Sequence, residues 1–153
     1  MTVTAERPTG VDPRALITPD LFDRLVARIT DDHPEHAEHA ADIMSQALAF
    51  LTACGSNPGA GLSPSKLVDV GWHVFLAYTR EYAAFCDLVA DRFIHHMPTD
   101  TPDTAIADPV AAVGATVAAM RAAGLPVIPE LWIAGSECSQ CYAGCADDPK
   151  TEG

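Results

Sequence analysis

The sequence has 153 residues, of which 48% are hydrophobic and 20% charged, and its formal net charge is −12 at pH 7. A chain of this length is expected to form one domain with its own core. Its acidity argues against nucleic acid and membrane surfaces as partners, because phosphate groups repel such a chain. The N-terminus has no apolar core and no apolar stretch reaches about 18 residues, which predicts a cytoplasmic protein with no signal peptide and no membrane-spanning helix.

Helix signals divide the chain into a flexible N-terminus (1–17), a helical domain (18–135) and a Cys-rich tail (136–153). The first helix is predicted over 18–30, opened by a capping hydroxyl and a proline at Thr18-Pro19. A second helix is predicted over 35–54, with Gly55 as its C-terminal cap.

A long central helix is predicted over 64–96, because neither Gly nor Pro occurs between Trp72 and Met97. A fourth helix is predicted over 108–123, followed by an extended strap that packs Leu131, Trp132 and Ile133 onto the helices. The expected fold is all-α: a bundle of about four helices, one of them long and central, with an irregular Cys-rich tail. The aromatic residues expected to be buried in its core are Trp72, Phe75, Phe85 and Phe93.

The long helix carries one thin polar stripe that includes Asp69 and His73, four residues apart. Two interpretations stay open. The stripe is a solvent-facing seam, or it is an interior site in which the carboxylate orients the imidazole, as it does for many ligand and catalytic histidines.

Further candidate metal ligands on this helix are Cys86, His95 and His96. His73 and Cys86 are about 20 Å apart along a straight helix, so they cannot share one ion unless the helix breaks. A hairpin with the preceding helix would bring Cys86 level with His33 and near His36, so that either could join it in a site. The alternative is that this His-rich segment is a solvated helix start. The adjacent histidines either cap the helix dipole or include one ligand.

The tail places Cys138, Cys141 and Cys145 at C-x2-C-x3-C spacing. Three thiolates at this spacing can bind zinc or copper(I) and leave one position for a fourth ligand, which could be His95, His96, Cys54 or Cys86. The alternative is a free tail that is prone to oxidation.

Several motifs together resemble a known family: Asp69-x-x-Trp72-His73, Tyr82-x-x-Phe85-Cys86 and His95-His96-x-Pro98. They are similar to the short bacterial form of the glycine-rich domain-containing protein-like family. The resemblance implies an α-helical domain of about this length and no known activity.

The leading hypothesis is a small cytoplasmic helical protein that binds a transition metal, zinc first and copper(I) second. The proposed ligands are histidine and cysteine side chains: His73, Cys86, His95, His96, Cys138, Cys141 and Cys145. Whether a reaction takes place there is left open. The alternative is an acidic protein-interaction module whose tail docks without metal, and in either case a protein or small-molecule partner is unidentified. A third class, an enzyme with Cys86 as nucleophile, requires an exposed thiol with a lowered pKa.

Overall fold

A computed structural model describes residues 12–99, 101–103 and 105–133, and the backbone alone of 145–147. Within these ranges the fold is all-α, as predicted. Its helices are α1 (Pro19–Asp32), α2 (Ala40–Ser56), α3 (Lys66–Leu76), α4 (Thr79–Ala90) and α5 (Pro109–Ala122). Short 3-10 helices span Pro13–Leu16, Pro34–His39 and Pro129–Trp132. No helix in the described ranges is both long and apolar enough to cross a membrane.

The predicted starts of α1 and α5 are confirmed, and each is capped by a side chain. The Thr18 side chain accepts a hydrogen bond from the Leu21 amide at 3.1 Å and opens α1. The Asp108 carboxylate does the same for the Ala111 amide at the start of α5. Gly124, with φ of 75°, follows α5 in the left-handed conformation that glycine adopts without strain.

The predicted single helix over 64–96 is wrong, because the chain breaks between α3 and α4. At the break, the amides of Ala77 and Tyr78 donate to carbonyls three residues back rather than four. The break lets the Trp72 indole donate to the Tyr82 hydroxyl at 2.9 Å, although ten residues separate them. In a straight helix the same residues would lie about 15 Å apart.

The helix at the centre of the bundle is α2, not the predicted long one. Every residue from Ile43 to Gly55 is buried, and α2 packs against α1, α3, α4 and α5. A helix that is apolar on all sides belongs in a core. Gly55 is not a cap but lies within α2, where an added Cβ would come within 2.0 Å of the Val89 carbonyl oxygen of α4.

The long helix was predicted to start at residue 64, but α3 starts at Lys66, because the backbone of Ser63 is hydrogen-bonded to α5. The Thr116 hydroxyl donates to the Ser63 carbonyl at 2.7 Å and accepts from the Ser63 amide at 3.0 Å. Ser65 caps α3 instead, accepting from the Val68 amide and donating to the Leu131 carbonyl.

The end of α4 decides which aromatic residues reach the core. Asp91 adopts a left-handed conformation with φ of 57°, and α4 stops before it. Phe93, predicted to be buried, is therefore 42% exposed, while Ile94 takes the interior position. Trp72, Phe75 and Phe85 are buried as predicted.

The strap after α5 packs on the bundle through Leu131 and Trp132, whereas Ile133, also predicted to pack, is exposed. The fully buried Gln46 of α2 holds the strap. Its amide group donates to the Pro126 carbonyl and accepts from the Ile128 amide and the Trp132 indole.

A two-stranded antiparallel sheet joins β1 (His96–Pro98) to β2 (Cys145–Asp147). Its register pairs His96 with Asp147, Met97 with Ala146 and Pro98 with Cys145. The C-terminal segment thus reaches the chain just after α4.

Candidate metal centre

A buried carboxylate lies between two imidazoles. Oδ1 of Asp69 is 3.1 Å from Nε2 of His96, and Oδ2 is 3.3 Å from Nε2 of His73. The Asp69 side chain is 5% exposed and that of His96 10%, while that of His73 is 56% exposed. The three residues therefore form a cluster that is closed on one side and open to solvent through His73.

Two segments supply these side chains. Asp69 lies in the first turn of α3, and His73 follows one turn later on the same face. His96 comes from β1, which follows α4 and the left-handed Asp91. The rings of Trp72 and His73 meet the His96 ring at centroid distances of 4.4 and 4.2 Å, which fixes its position.

The two imidazoles favour the ionised form of the Asp69 carboxyl group. Burial alone would raise the pKa of its carboxyl group, but hydrogen bonds from His73 and His96 outweigh burial and hold that pKa well below its usual range. The pKa of His73 is raised, chiefly by its hydrogen bond to Asp69, with burial opposing. Since an ionised carboxylate can only accept hydrogen bonds, the two imidazole Nε2 atoms are the donors to Asp69 in the metal-free cluster.

The same three groups are suitable ligands for a transition metal. One ligand atom from each lies within 4.8 Å of the others. Two ligand atoms that each lie about 2.0–2.2 Å from one zinc ion are about 2.8–3.6 Å apart in right-angled or tetrahedral geometry. The two nitrogen–oxygen distances, 3.1 and 3.3 Å, fall in that interval. Because the two distances involve different carboxylate oxygens, one ion held by both imidazoles and Asp69 would require these side chains to move.

Of the sequence-predicted ligands whose side chains the structure describes, His73 and His96 come together in this cluster and Cys86 and His95 do not. Asp69 was considered from the sequence as the group that orients His73, not as a ligand itself. The four-residue spacing of Asp69 and His73 was the signal for that pair.

Cys86 lies elsewhere, fully buried in the core. The Ile94 amide donates to its Sγ at 3.5 Å, and burial raises the pKa of the thiol. Cys86 is therefore neutral at physiological pH, which is the opposite of what a nucleophilic cysteine requires. No group of three or more potential ligands among the described side chains includes it.

The two adjacent histidines have different surroundings. His95 is exposed and its ring lies 4.9 Å from the Phe93 ring, whereas His96 enters the cluster. Cys138 and Cys141 lie outside the described residues, and Cys145 is described only as backbone in β2. The predicted thiolate site therefore stays a prediction.

A second, more exposed group lies at the start of the 3-10 helix Pro34–His39 and includes His33, the residue just before it. Oε2 of Glu35 lies 3.6 Å from Nδ1 of His33 and 3.8 Å from Nε2 of His36. These residues could also hold an ion. Their solvent exposure makes the group a weaker candidate than the one around Asp69, since water competes at each ligand.

Comparison with known proteins corrects the family predicted from the motifs. The model of a family described as UCP032817-like, an uncharacterised family, matches residues 14–108. Nothing points to the glycine-rich domain-containing family, so that prediction is wrong. No curated protein and no solved structure matches the chain. The matched range includes Asp69, His73 and His96.

Proposed function

For this chain, which belongs to the UCP032817-like family, we propose that its function is to bind a divalent transition metal, zinc by ligand chemistry, at Asp69, His73 and His96. The observation that carries the proposal is the buried carboxylate with a different imidazole Nε2 at each oxygen, 3.1 and 3.3 Å away. Imidazole and carboxylate ligands suit zinc, and they also suit iron(II) in two-His-one-carboxylate sites.

The position of the cluster supports the proposal. Asp69 is buried on a helix, so its carboxylate is held in place before an ion arrives. His73 is more than half exposed, which gives an ion and a water molecule access from solvent. Two neutral imidazoles and one carboxylate would leave a bound divalent ion with a net charge of +1, and an open position would be available for another ligand.

A hydrogen-bonded trio with a purely structural role is the competing interpretation, since the same distances also fit hydrogen bonds. The two interpretations differ in what zinc does. If zinc binds the folded chain only, it should stabilise the protein by about 2.7 kcal/mol at a free concentration 100 times Kd. A trio held only by hydrogen bonds would not bind zinc, so zinc would leave the stability of the protein unchanged.

The test is a zinc titration of tag-free protein followed by calorimetry and by thermal unfolding. His33→Ala and His36→Ala are introduced first, so that the exposed second group does not contribute. In this background we expect Asp69→Asn and His96→Ala to abolish the zinc-dependent shift in Tm. His95→Ala is the matched control, because it removes an adjacent imidazole that lies outside the cluster. Equal shifts in all four proteins would refute the proposal.

Zinc binding by Cys138, Cys141 and Cys145, with copper(I) as the other candidate ion, is a separate proposal. A second equivalent that is lost in Cys141→Ser but kept in Asp69→Asn would identify it. The alternative function, an acidic interaction module, requires no metal at either place. It is favoured if the tag-free protein contains no metal and the titration shows no binding.

A further inference from the structure

An open cleft lies between the first two turns of α2, the 3-10 helix Pro13–Leu16 and the strap that follows α5. Its volume is about 530 Å³, within the range of about 300–1,000 Å³ that is usual for small-molecule sites. None of the residues that line it belongs to the cluster around the buried carboxylate. The residues that matter below are Asp12, Arg14, Asp42, Ser45, Leu125 and Ile128.

The Ser45 side chain presents an unpaired hydroxyl group to this cleft. Ser45 is 7% exposed and lines the cleft. No hydrogen bond joins its Oγ to any other residue that the structure describes, whereas Thr52 on the same helix donates to the Leu48 carbonyl at 2.8 Å. No polar side-chain atom in the described part of the chain is both fully enclosed and unpaired, so the Ser45 Oγ is reached from the cleft. Buried polar groups nearly always have a partner, and a bound molecule would supply one here.

The Arg14 guanidinium is held at the cleft but keeps hydrogen-bond donors for a ligand. It lies over the Phe22 ring, 4.7 Å from the ring centroid, and 4.0 Å from the Asp42 carboxylate. The second distance is too long for a hydrogen bond, and the two charged side chains are 43% and 50% exposed, which leaves them room to separate. A ligand carboxylate could therefore dock on the guanidinium, whose fork pairs with two carboxylate oxygens at once.

The charges at the cleft also call for a positive group on the ligand. Asp12 and Asp42 bring two carboxylates against the single positive charge of Arg14. A simple anion would be repelled by the carboxylates, and a simple cation would leave the guanidinium without a partner. A small molecule that carries both charges satisfies both sides.

An apolar wall stands beside these charges and is fixed before a ligand arrives. Leu125 and Ile128 of the strap supply it. Gln46, the residue after Ser45, donates to the Pro126 carbonyl and accepts from the Ile128 amide. The wall and the hydroxyl are therefore held in a constant relation by neighbouring residues of α2.

We propose that this cleft binds a free α-amino acid with an apolar side chain. The ligand carboxylate pairs with the Arg14 guanidinium, and the ligand ammonium group donates to the Asp42 carboxylate and the Ser45 Oγ. The ligand side chain lies against Leu125 and Ile128. This site is separate from the proposed metal centre and does not depend on it.

The test is a calorimetric titration of the full-length protein with L-leucine, with chelator present so that metal binding does not contribute. Two analogues each lack one charge: L-leucinamide keeps the ammonium group, and 4-methylpentanoate keeps the carboxylate. Free glycine keeps both charges and lacks the apolar side chain. We expect L-leucine to bind at least about 10-fold more tightly than any of the three, because each omits one charged or apolar contact.

Substitutions at the cleft identify the groups that bind. Arg14→Gln and Asp42→Asn should each weaken L-leucine binding by about 10-fold or more, and Ser45→Ala by about 2- to 10-fold. Arg14→Lys should weaken it nearly as much as Arg14→Gln, because lysine keeps the charge and loses the fork. Arg28→Gln is the matched control, since Arg28 is an exposed arginine that pairs with Asp32 on α1 and does not line the cleft. Far-ultraviolet circular dichroism checks that each variant keeps its helix content.

Three results would overturn the inference. The first is no heat and no rise in Tm with L-leucine at millimolar concentration. The second is full binding in Arg14→Gln or in Asp42→Asn. The third is L-leucinamide that binds as tightly as L-leucine, which would make the cleft a site for cations. None of these results bears on the zinc titration, whose ligands and variants are different.

Discussion

The carboxylate of Asp69 and the imidazole of His96 lie 3.1 Å apart although 27 residues separate them along the chain. The break between α3 and α4 and the turn at Asp91 bring them together. The contact joins the start of α3 to β1. The loss of either side chain should therefore affect both the stability of the fold and the candidate metal centre.

The first prediction concerns pH in the metal-free protein. The pKa of His73 is raised in the folded state, so its contribution to stability is complete below about pH 6.5, its value in an unfolded chain, and is lost as pH rises through the folded-state pKa. The pKa of Asp69 is lowered, so its contribution is present above about pH 3.9 and is lost on acidification. With chelator present, the free energy of unfolding measured with urea should fall above about pH 6.5, as His73 loses its proton. His73→Gln should remove the part of this fall that comes from the pair.

Zinc binding should depend on pH in the opposite sense to the stability of the metal-free pair. The imidazoles must be unprotonated to bind metal, so zinc affinity and the zinc-dependent rise in Tm should increase over the range in which the metal-free pair weakens. Thermal unfolding with and without zinc at several pH values measures both effects. A rise in Tm that does not depend on pH would show that zinc binds to other groups.

The second prediction concerns the hydroxyl of Tyr82, which accepts from the Trp72 indole at 2.9 Å and donates to the Ile94 carbonyl at 2.5 Å. Tyr82→Phe should reduce the free energy of unfolding by about 1–3 kcal/mol, because both buried partners lose their hydrogen bond. It should also weaken zinc binding, since Ile94 precedes His96 by two residues. Tyr78→Phe is the control: it keeps the ring that lies 5.3 Å from the Arg24 guanidinium. Equal stability of the two variants would contradict the assigned role.

Local signals in the sequence were sufficient for some helix ends and not for others. The starts of α1 and α5 follow from Thr18 and Asp108, whose side chains cap their own helices. The break after Leu76 has no Gly or Pro to mark it. It is stabilised by contacts across the break, including the Phe75 ring against the Tyr82 ring at 5.2 Å. Such tertiary contacts are invisible to a rule that reads breakers along the chain.

The dependence on tertiary contacts also explains why only part of the candidate site could be predicted from the sequence. Asp69 and His73 were paired correctly by their spacing of four residues on one helix. His96 was named as a candidate ligand, but a continuous helix would have carried it far from His73. Only the folding of α4 back against α3 brings it to Asp69. The left-handed Asp91 that ends α4 is a conformation that Asp tolerates better than most residues, and it gave no strong signal in the sequence.

The third prediction compares two glycines within helices. An added Cβ at Gly71 would lie 2.8 Å from the Ala47 Cβ and 3.1 Å from the Ile43 carbonyl oxygen. Gly71→Ala should therefore separate α3 from α2 and cost about 1–3 kcal/mol of stability. At the exposed Gly114 of α5, an added Cβ meets nothing within 4 Å, so Gly114→Ala should stabilise the protein by up to about 1 kcal/mol. Urea unfolding of both variants measures the contrast, and a neutral Gly71→Ala would show that the helices are packed less closely.

The fourth prediction concerns the amide of Gln46. Gln46→Leu leaves the Pro126 carbonyl, the Ile128 amide and the Trp132 indole without their shared partner. Each unsatisfied buried group costs about 1–3 kcal/mol, so the loss of stability should be at least about 2 kcal/mol. In a double-mutant cycle, Trp132→Phe should cost less in the Gln46→Leu background than alone, because the donor is already unsatisfied there. Strict additivity would mean that the indole does not depend on Gln46.

The central claim is that Asp69, His73 and His96 bind one metal ion, and anomalous diffraction at the zinc absorption edge from crystals grown with zinc tests it most directly. We predict one anomalous peak about 2.0–2.2 Å from Nε2 of both imidazoles and from an Asp69 carboxylate oxygen. Asp69→Asn crystals grown under the same conditions should lack it. Direct Nε2-to-carboxylate hydrogen bonds at 3.1 and 3.3 Å with no peak between them, at a zinc concentration that fills other sites, would contradict the claim.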